Sequence, residues 1–216
     1  MKPLLIFDLD GTLYTFDNGN SRSFGTSTFY SKIKGKMFSF ISRKLGVDDM
    51  KAREIYDDVK EEFRGETSIG LEKKFGIDRY EYFENTWNLD PRDFIEKRDL
   101  LPLISSLEGE VAVLTAAPRA WASKVLDYLN LGRYNGRLFT GEHDLRKPNP
   151  EMFRMVCESM VYKPENAISI GDQLESDIIP AKAIGMKTIL IRGRSDKADY
   201  CISSLDEIPS ILRRIK

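Results

Sequence analysis

Leu4-Leu5-Ile6-Phe7 runs directly into Asp8-Leu9-Asp10-Gly11-Thr12-Leu13 near the start of the chain. Consecutive apolar residues followed by a turn-forming glycine read as a short buried strand that ends abruptly. Strand side chains alternate between faces, so Asp8 and Asp10 are expected to project together while Leu9 turns toward packing. Gly11 permits the sharp turn, and its backbone N–H, with that of Thr12, is expected to face an anion at the strand end. Asp, Gly and Thr are also ordinary turn residues. The weight of the reading therefore comes from further polar groups that recur in the same setting.

Working outward, Val111–Leu114, Ala167–Ile170 and Thr188–Ile191 are apolar enough for buried strands. Helical patterns separate them: Ala120 to Leu129, a segment starting at Asn149-Pro150 and running through Met152, Phe153, Val156 and Cys157, and Ile178 to Ile184, stopped by Gly185. This βα alternation predicts an α/β fold with a parallel sheet covered by helices. Between Tyr14 and about Asp90 no strand pattern occurs. Apolar residues there recur at helical spacing: Met37, Phe38, Ile41 and Leu45; Ala52, Ile55, Tyr56, Val59 and Phe63; and Tyr80, Phe83 and Trp87. Gly65, Gly70 and Gly76 are the expected breaks, and Asp90-Pro91 marks the return to the sheet. The expected division is residues 1–14 and 92–216 as the α/β core and 15–91 as a small all-helical insertion after the first strand.

The 216 residues carry 33 basic and 34 acidic side chains, a net charge of −1, so no overall field draws the protein to nucleic acid or an anionic membrane. The first apolar run is cut short by Asp8, and no later one approaches the roughly 20 residues of a membrane span. A cytoplasmic protein with a small-molecule partner is the expectation, and nothing in the sequence speaks to its oligomeric state. Cys157 and Cys201 lack any paired spacing and read as structural thiols. The single histidine, His143, reads as a solvated loop residue that supports neither a zinc site nor a serine triad. Any chemistry is left to carboxylates, lysine, hydroxyls and a hard cation.

Thr115 follows the Val111–Leu114 strand as Asp8 follows the first. Lys147 lies between prolines in Arg146-Lys147-Pro148-Asn149-Pro150. Gly171-Asp172-Gln173-Leu174-Glu175-Ser176-Asp177 follows the third strand with further acids. If Asp8, Asp10, Asp172 and Asp177 converge, each close like-charge pair costs about 4 kcal/mol at 4 Å and an effective dielectric near 20. A counter-ion is required, and an all-oxygen ligand set favours Mg²⁺ over zinc.

These four segments, in this order, resemble the motifs of the haloacid dehalogenase superfamily of phosphohydrolases. The resemblance implies a Rossmann-like core with a helical cap inserted after the first motif. It implies Asp8 as nucleophile and Asp10 as general acid/base. Gly11, Thr12, Thr115, Ala116 and Lys147 are implied to contact phosphate, and Asp8, Asp10, Asp172 and Asp177 to form the Mg²⁺ site. Asp177 and Glu175 both remain candidates for the last metal position. A Mg²⁺-dependent phosphomonoester hydrolase of the phosphoglycolate phosphatase or nucleotidase type, working through an aspartyl-phosphate, is the expected activity. A phosphomutase, a 2-haloacid dehalogenase and a non-catalytic phosphoryl-binding protein are the alternatives. A departing halide needs no proton, so Asp10 argues against the dehalogenase. Phe16, Asp17, Asn18 and Arg22, in the loop after the first motif, are the candidates for reading the leaving group.

Overall fold

A computed structural model describes residues 2–19 and 24–215. Its elements in chain order are β1 (Leu4–Phe7), α1 (Thr28–Leu45), α2 (Asp49–Glu62), α3 (Thr67–Phe75), α4 (Arg79–Thr86), α5 (Leu101–Ser105), β2 (Glu110–Leu114), α6 (Arg119–Tyr128), β3 (Leu138–Phe139), α7 (Pro150–Ser159), β4 (Ala167–Gly171), α8 (Ile179–Ala183), β5 (Lys187–Ile191), β6 (Tyr200–Ile202) and α9 (Ile208–Arg214). The strands form one six-stranded sheet in the order β3-β2-β1-β4-β5-β6, and every pairing is parallel. β1 lies at the centre, between β2 and β4, so its carboxyl end sits where ligands bind in such sheets.

Alternation along β1 divides the core. Leu5 and Phe7, joined by Leu9 beyond the strand end, pack with Val111, Val113, Ile168 and Ile170 against α6. Leu4 and Ile6 pack with Ala112 and Leu114 against Met152, Phe153, Val156 and Cys157 of α7. Leu9 thus turns into packing as the alternation predicts. Cys157 is buried in this core, and Cys201 is exposed on β6.

Helix boundaries follow local chemistry. Ser27 caps α1 by accepting from the Tyr30 N–H, Asp48 caps α2 and Asp78 caps α4 in the same way, and Gly46 and Gly76 end α1 and α3 in the left-handed conformation. Asn149 caps α7, whose first residue is Pro150. Gly70 does not break the chain but lies inside α3. A Cβ there would stand 2.4 Å from Val59 Cγ1, so glycine at this position lets α3 approach α2. The expected helix from Ile178 to Ile184 is a π-turn over Leu174–Ile178 leading into the short α8. β3 and β6 are too short to leave a hydrophobic run. No helix among the described residues is long and apolar enough to cross a membrane.

The helical segment between β1 and β2 meets the core through aromatic rings. Phe29 of α1 lies 4.2 Å from Trp121 of α6, centroid to centroid, and Phe24 and Trp87 stack at 5.6 Å beside it. Phe16 belongs to the same cluster, 5.4 Å from Tyr14. Tyr80, expected within an apolar stripe, is exposed and reaches His143 Nδ1 at 3.3 Å.

Candidate active site

Asp8, Asp172 and Asp177 each place a carboxylate oxygen within 4.8 Å of the others, at the carboxyl ends of β1 and β4. Lys147 enters this group from the loop before α7. Its Nζ lies 2.8 Å from Asp8 Oδ1, 2.5 Å from Asp177 Oδ1 and 3.0 Å from the Leu114 carbonyl, which occupies all three ammonium hydrogens. Three of the four groups are almost wholly buried, with the side chains of Lys147, Asp8 and Asp177 2%, 9% and 1% exposed, and Asp172 is half-buried. Asp8 Oδ2 is buried with no hydrogen-bond partner among the described residues.

Two glycines make this gathering possible. Gly11 has φ +88°, and a Cβ there would stand 2.5 Å from Asp172 Oδ2. At Gly171 a Cβ would fall 2.3 Å from Asp177 Cγ. The π-turn after β4 sets Asp177 beneath the strand end, where its Oδ2 accepts from the Gln173 N–H at 2.9 Å and its carbonyl from Ser169 Oγ at 2.8 Å. Gln173 contributes its backbone, and its side chain is exposed. Glu175 is also exposed, so Asp177 rather than Glu175 joins the cluster.

Electrostatics follow from burial. Desolvation pushes the Asp8 carboxyl well above the ordinary range, with Lys147 opposing it and Asp177, Asp172 and Asp10 adding to it. Burial and the Asp177 charge push Asp172 up to about 6. Burial works against a charged Lys147, but Asp177 and Asp8 outweigh it and hold the ammonium above the usual lysine range. A cation would satisfy the unpartnered Asp8 oxygen and relieve the carboxylate repulsion, so the residues present fit a hard metal ion.

Asp10 departs from expectation. Its carboxylate is not among the three gathered acids and turns instead to Tyr14, Trp121 and Thr115. Oδ1 accepts from the Tyr14 hydroxyl and, at 2.8 Å, from Trp121 Nε1, and Oδ2 accepts from Thr115 Oγ1 at 3.0 Å. Burial raises the Asp10 carboxyl and these three donors oppose the rise. The Thr115 hydroxyl, expected on phosphate, is therefore given to Asp10, and it also accepts from the Ala117 N–H at 3.0 Å. Ala116 is exposed just beyond it. Thr12, also expected on phosphate, is fully buried: its N–H donates to the Leu9 carbonyl at 3.2 Å and its hydroxyl to Asp172 Oδ1 at 3.3 Å. It braces the turn and one of the gathered acids.

The loop after the first motif also differs. Phe16 is buried among aromatic rings, and Asp17 (φ +48°) accepts from the Thr28 N–H at 3.0 Å and from the Thr28 hydroxyl at the start of α1. Both hold the loop to the helix. The Asn18 side chain and Arg22 lie outside the described residues.

Sequence reasoning missed Tyr14, Trp121, Arg192 and Glu142. Arg192, beyond β5, donates Nη2 to the Gly11 carbonyl and, at 2.6 Å, to that of Thr12, fixing the turn after Asp10. Glu142 is buried, and its Oε2 accepts from the Arg119 N–H at 2.8 Å, holding the loop after β2. No local pattern marks Trp121, Arg192 or Glu142, whereas Tyr14 lies only four positions from Asp10.

Fold and site together define a parallel α/β protein with a carboxylate–lysine centre at the carboxyl edge of its sheet. The chain belongs to the haloacid dehalogenase-like hydrolases, whose family model matches residues 3–185. It is similar to the glyceraldehyde 3-phosphate phosphatase of Pyrococcus furiosus, 37% identical over an alignment of 79 residues that covers 32% of this chain and 33% of that protein. It is also similar to phosphoglycolate phosphatase 1 of Pseudomonas aeruginosa, 32% identical over 79 residues, 36% of this chain and 29% of that one. These matches span about a third of the curated relatives' own length. The crystal structure of a phosphatase of the same superfamily from Thermococcus onnurineus shares the fold, with a TM-score of 0.67, 24% identity and 98% of each chain covered.

Proposed function

We propose that this protein is a Mg²⁺-dependent phosphomonoester hydrolase that acts on a small phosphorylated metabolite through an aspartyl-phosphate on Asp8. The observation that carries the reading is the state of Asp8: buried, braced by Lys147 through one oxygen, and unpartnered at the other, beside Asp172 and Asp177. The phosphatase relatives in the family, named for glyceraldehyde 3-phosphate and phosphoglycolate, support the substrate class.

Asp8, Asp172 and Asp177 would hold the metal, an all-oxygen set that suits Mg²⁺. When bound, Mg²⁺ would supply the positive charge that lets an anionic nucleophile and a phosphate approach each other. Lys147 contributes a fixed cation against the same repulsion. An Asp8 oxygen attacks phosphorus and the bond from phosphorus to the leaving oxygen breaks, while Asp10 gives that oxygen a proton. Asp10 then takes a proton from water as the water oxygen attacks the phosphoryl group, and Asp8 is released as a carboxylate. The helical segment, residues 15–91 in this reading, acts as a cap that excludes bulk water. Its contacts with the core support that role: Arg79 of α4 reaches Asp144 at 2.7 Å and Arg146 of the core reaches Glu66.

The test is phosphate release from a panel of phosphomonoesters, with Mg²⁺ and with EDTA, for wild type and Asp8→Asn. Metal-dependent release by the wild type and its loss in the variant are expected. Equal release by the two proteins would overturn the role of Asp8, and no release from any ester would overturn the hydrolase.

A further inference from the structure

Asp10 is held by two aromatic residues that lie outside the acid and lysine segments. Both donate to the same oxygen, Oδ1: the Tyr14 hydroxyl and Trp121 Nε1, the latter at 2.8 Å. An indole N–H donates and never accepts, so Oδ1 stays an acceptor whatever Asp10 is doing. A proton carried by Asp10 therefore belongs on Oδ2. The partner of Oδ2 is the Thr115 hydroxyl at 3.0 Å, which can reverse its donor role because a hydroxyl rotates.

The two clamping groups have little freedom. Trp121 is fully buried in α6 and packs against Phe29 at 4.2 Å, with the ring planes tilted by 30°. Tyr14 lies 6.5 Å from Trp121 and 5.4 Å from Phe16, edge-on in both cases. Packing locks the rings, and the rings lock the carboxylate.

A buried indole N–H needs an acceptor, and Trp121 Nε1 is aimed at a carboxylate 111 positions away, on the same oxygen that takes the Tyr14 hydroxyl.

We propose that Trp121 and Tyr14 are positioning residues that immobilise Oδ1 of Asp10, so that Oδ2 is the oxygen that transfers the proton. The proposal rests on the acid/base role given to Asp10 above. In the first displacement the Oδ2–H bond breaks and its proton goes to the leaving oxygen as that oxygen parts from phosphorus. In the second, Oδ2 takes the proton of the attacking water. Misplacing a catalytic group by about 1 Å can cost on the order of 10²-fold in rate, so a rigid seat is worth having.

The test compares kcat/KM for wild type, Trp121→Phe, Tyr14→Phe, Asp10→Asn and the Trp121→Phe/Asp10→Asn double variant. The two substrates are p-nitrophenyl phosphate and the best alkyl phosphomonoester of the panel. A nitrophenolate leaves without a proton and an alkoxide does not, so a misplaced acid is felt mainly on the alkyl ester. Each single aromatic variant is expected to lose about 10-fold or more on the alkyl ester and less than about threefold on the aryl ester. The double variant is expected to be no worse than Asp10→Asn alone, because the clamp acts only through Asp10. An equal loss on both esters, or a further loss in the double variant, would mean a purely structural role and overturn the proposal. Tyr14→Phe removes one oxygen and keeps the ring, which guards against a folding defect at Trp121. An inactive wild type would instead defeat the phosphatase reading, and an unimpaired Asp10→Asn the role of Asp10, so the three failures are distinct.

Discussion

The carboxyl edge of the sheet and the helical segment above it treat charge in opposite ways. At the sheet edge Lys147, Asp8 and Asp177 are almost wholly buried and crowd together. On the helices, pairs such as Lys51 with Glu54, 56% exposed on both sides, and Lys74 with Glu62, 36% and 55% exposed, lie at the surface. Exposed pairs contribute little, about 0–1 kcal/mol. Buried charges cost several kcal/mol each to desolvate and persist only where their geometry returns most of it. The helical segment is therefore held by its apolar stripes and aromatic rings. The sheet edge stores unfavourable electrostatics that the rest of the fold sustains and that the proposed chemistry uses.

The sharpest test of this contrast is Asp8→Asn. Turnover is expected to fall by about 10³-fold or more. Removing one of the crowded charges should leave the melting temperature of the metal-free protein unchanged or raised. A large fall in melting temperature by calorimetry would break the comparison, because Asp8 would then be holding the fold together.

Two glycine substitutions give the next largest effect. Gly11→Ala puts a Cβ against Asp172 Oδ2 at a positive φ, whereas at Gly46, also at positive φ, nothing stands within 4 Å. Gly11→Ala is expected to lose about 10²-fold in kcat/KM by displacing the acids. Gly46→Ala is expected to cost about 1 kcal/mol in urea unfolding from its left-handed conformation and to leave kcat/KM unchanged.

A smaller effect is expected where the two regions meet. Arg79 bonds Glu72 of its own segment at 2.6 Å and Asp144 of the core at 2.7 Å, and Asp144 is 88% exposed. In a double-mutant cycle on unfolding, Arg79→Ala and Asp144→Ala should couple by under about 1 kcal/mol. Coupling of several kcal/mol would show that charge, and not the aromatic contact between Phe29 and Trp121, seats the helical segment.

The smallest effect concerns Asp199, at the far side of the sheet. It accepts from the Thr188 N–H and hydroxyl, each at 2.8 Å, and from Lys182 at 2.9 Å. Partial burial resists its ionisation, but these donors outweigh it and hold its carboxyl below the ordinary range. A depressed folded-state value stabilises the protein above the unfolded titration near about 4, and that stabilisation is lost as pH falls through the folded value. Asp199→Asn should therefore be less stable than wild type by about 1 kcal/mol at pH 7, with the difference closing in acid. Thermal melts across pH would reveal a constant gap if the carboxylate charge were irrelevant.

How much was legible in the sequence depended on the range of the contacts involved. Buried parallel strands leave continuous apolar runs, so β1, β2, β4 and β5 were readable, whereas β3 and β6, with two and three residues, were not. Asn149 and Gly185 acted as local signals and read correctly. Gly70 misled because its role is a close approach between helices, which one segment cannot show.

The sequence alone determined that Asp8, Asp172, Asp177 and Lys147 sit at strand ends or in the loops beside them, because strand alternation and turn chemistry are set by near neighbours. Only the tertiary structure decided which groups meet. Asp10 turned from the acid cluster to Trp121, 111 positions away, and the Thr12 carbonyl was taken by Arg192, 180 positions away. The Thr12 hydroxyl was taken by Asp172, 160 positions away, and the Thr115 hydroxyl by Asp10, 105 positions away. Such partners come from different strands and helices brought together by packing, and a hydrogen bond between residues so far apart leaves no periodicity in either segment.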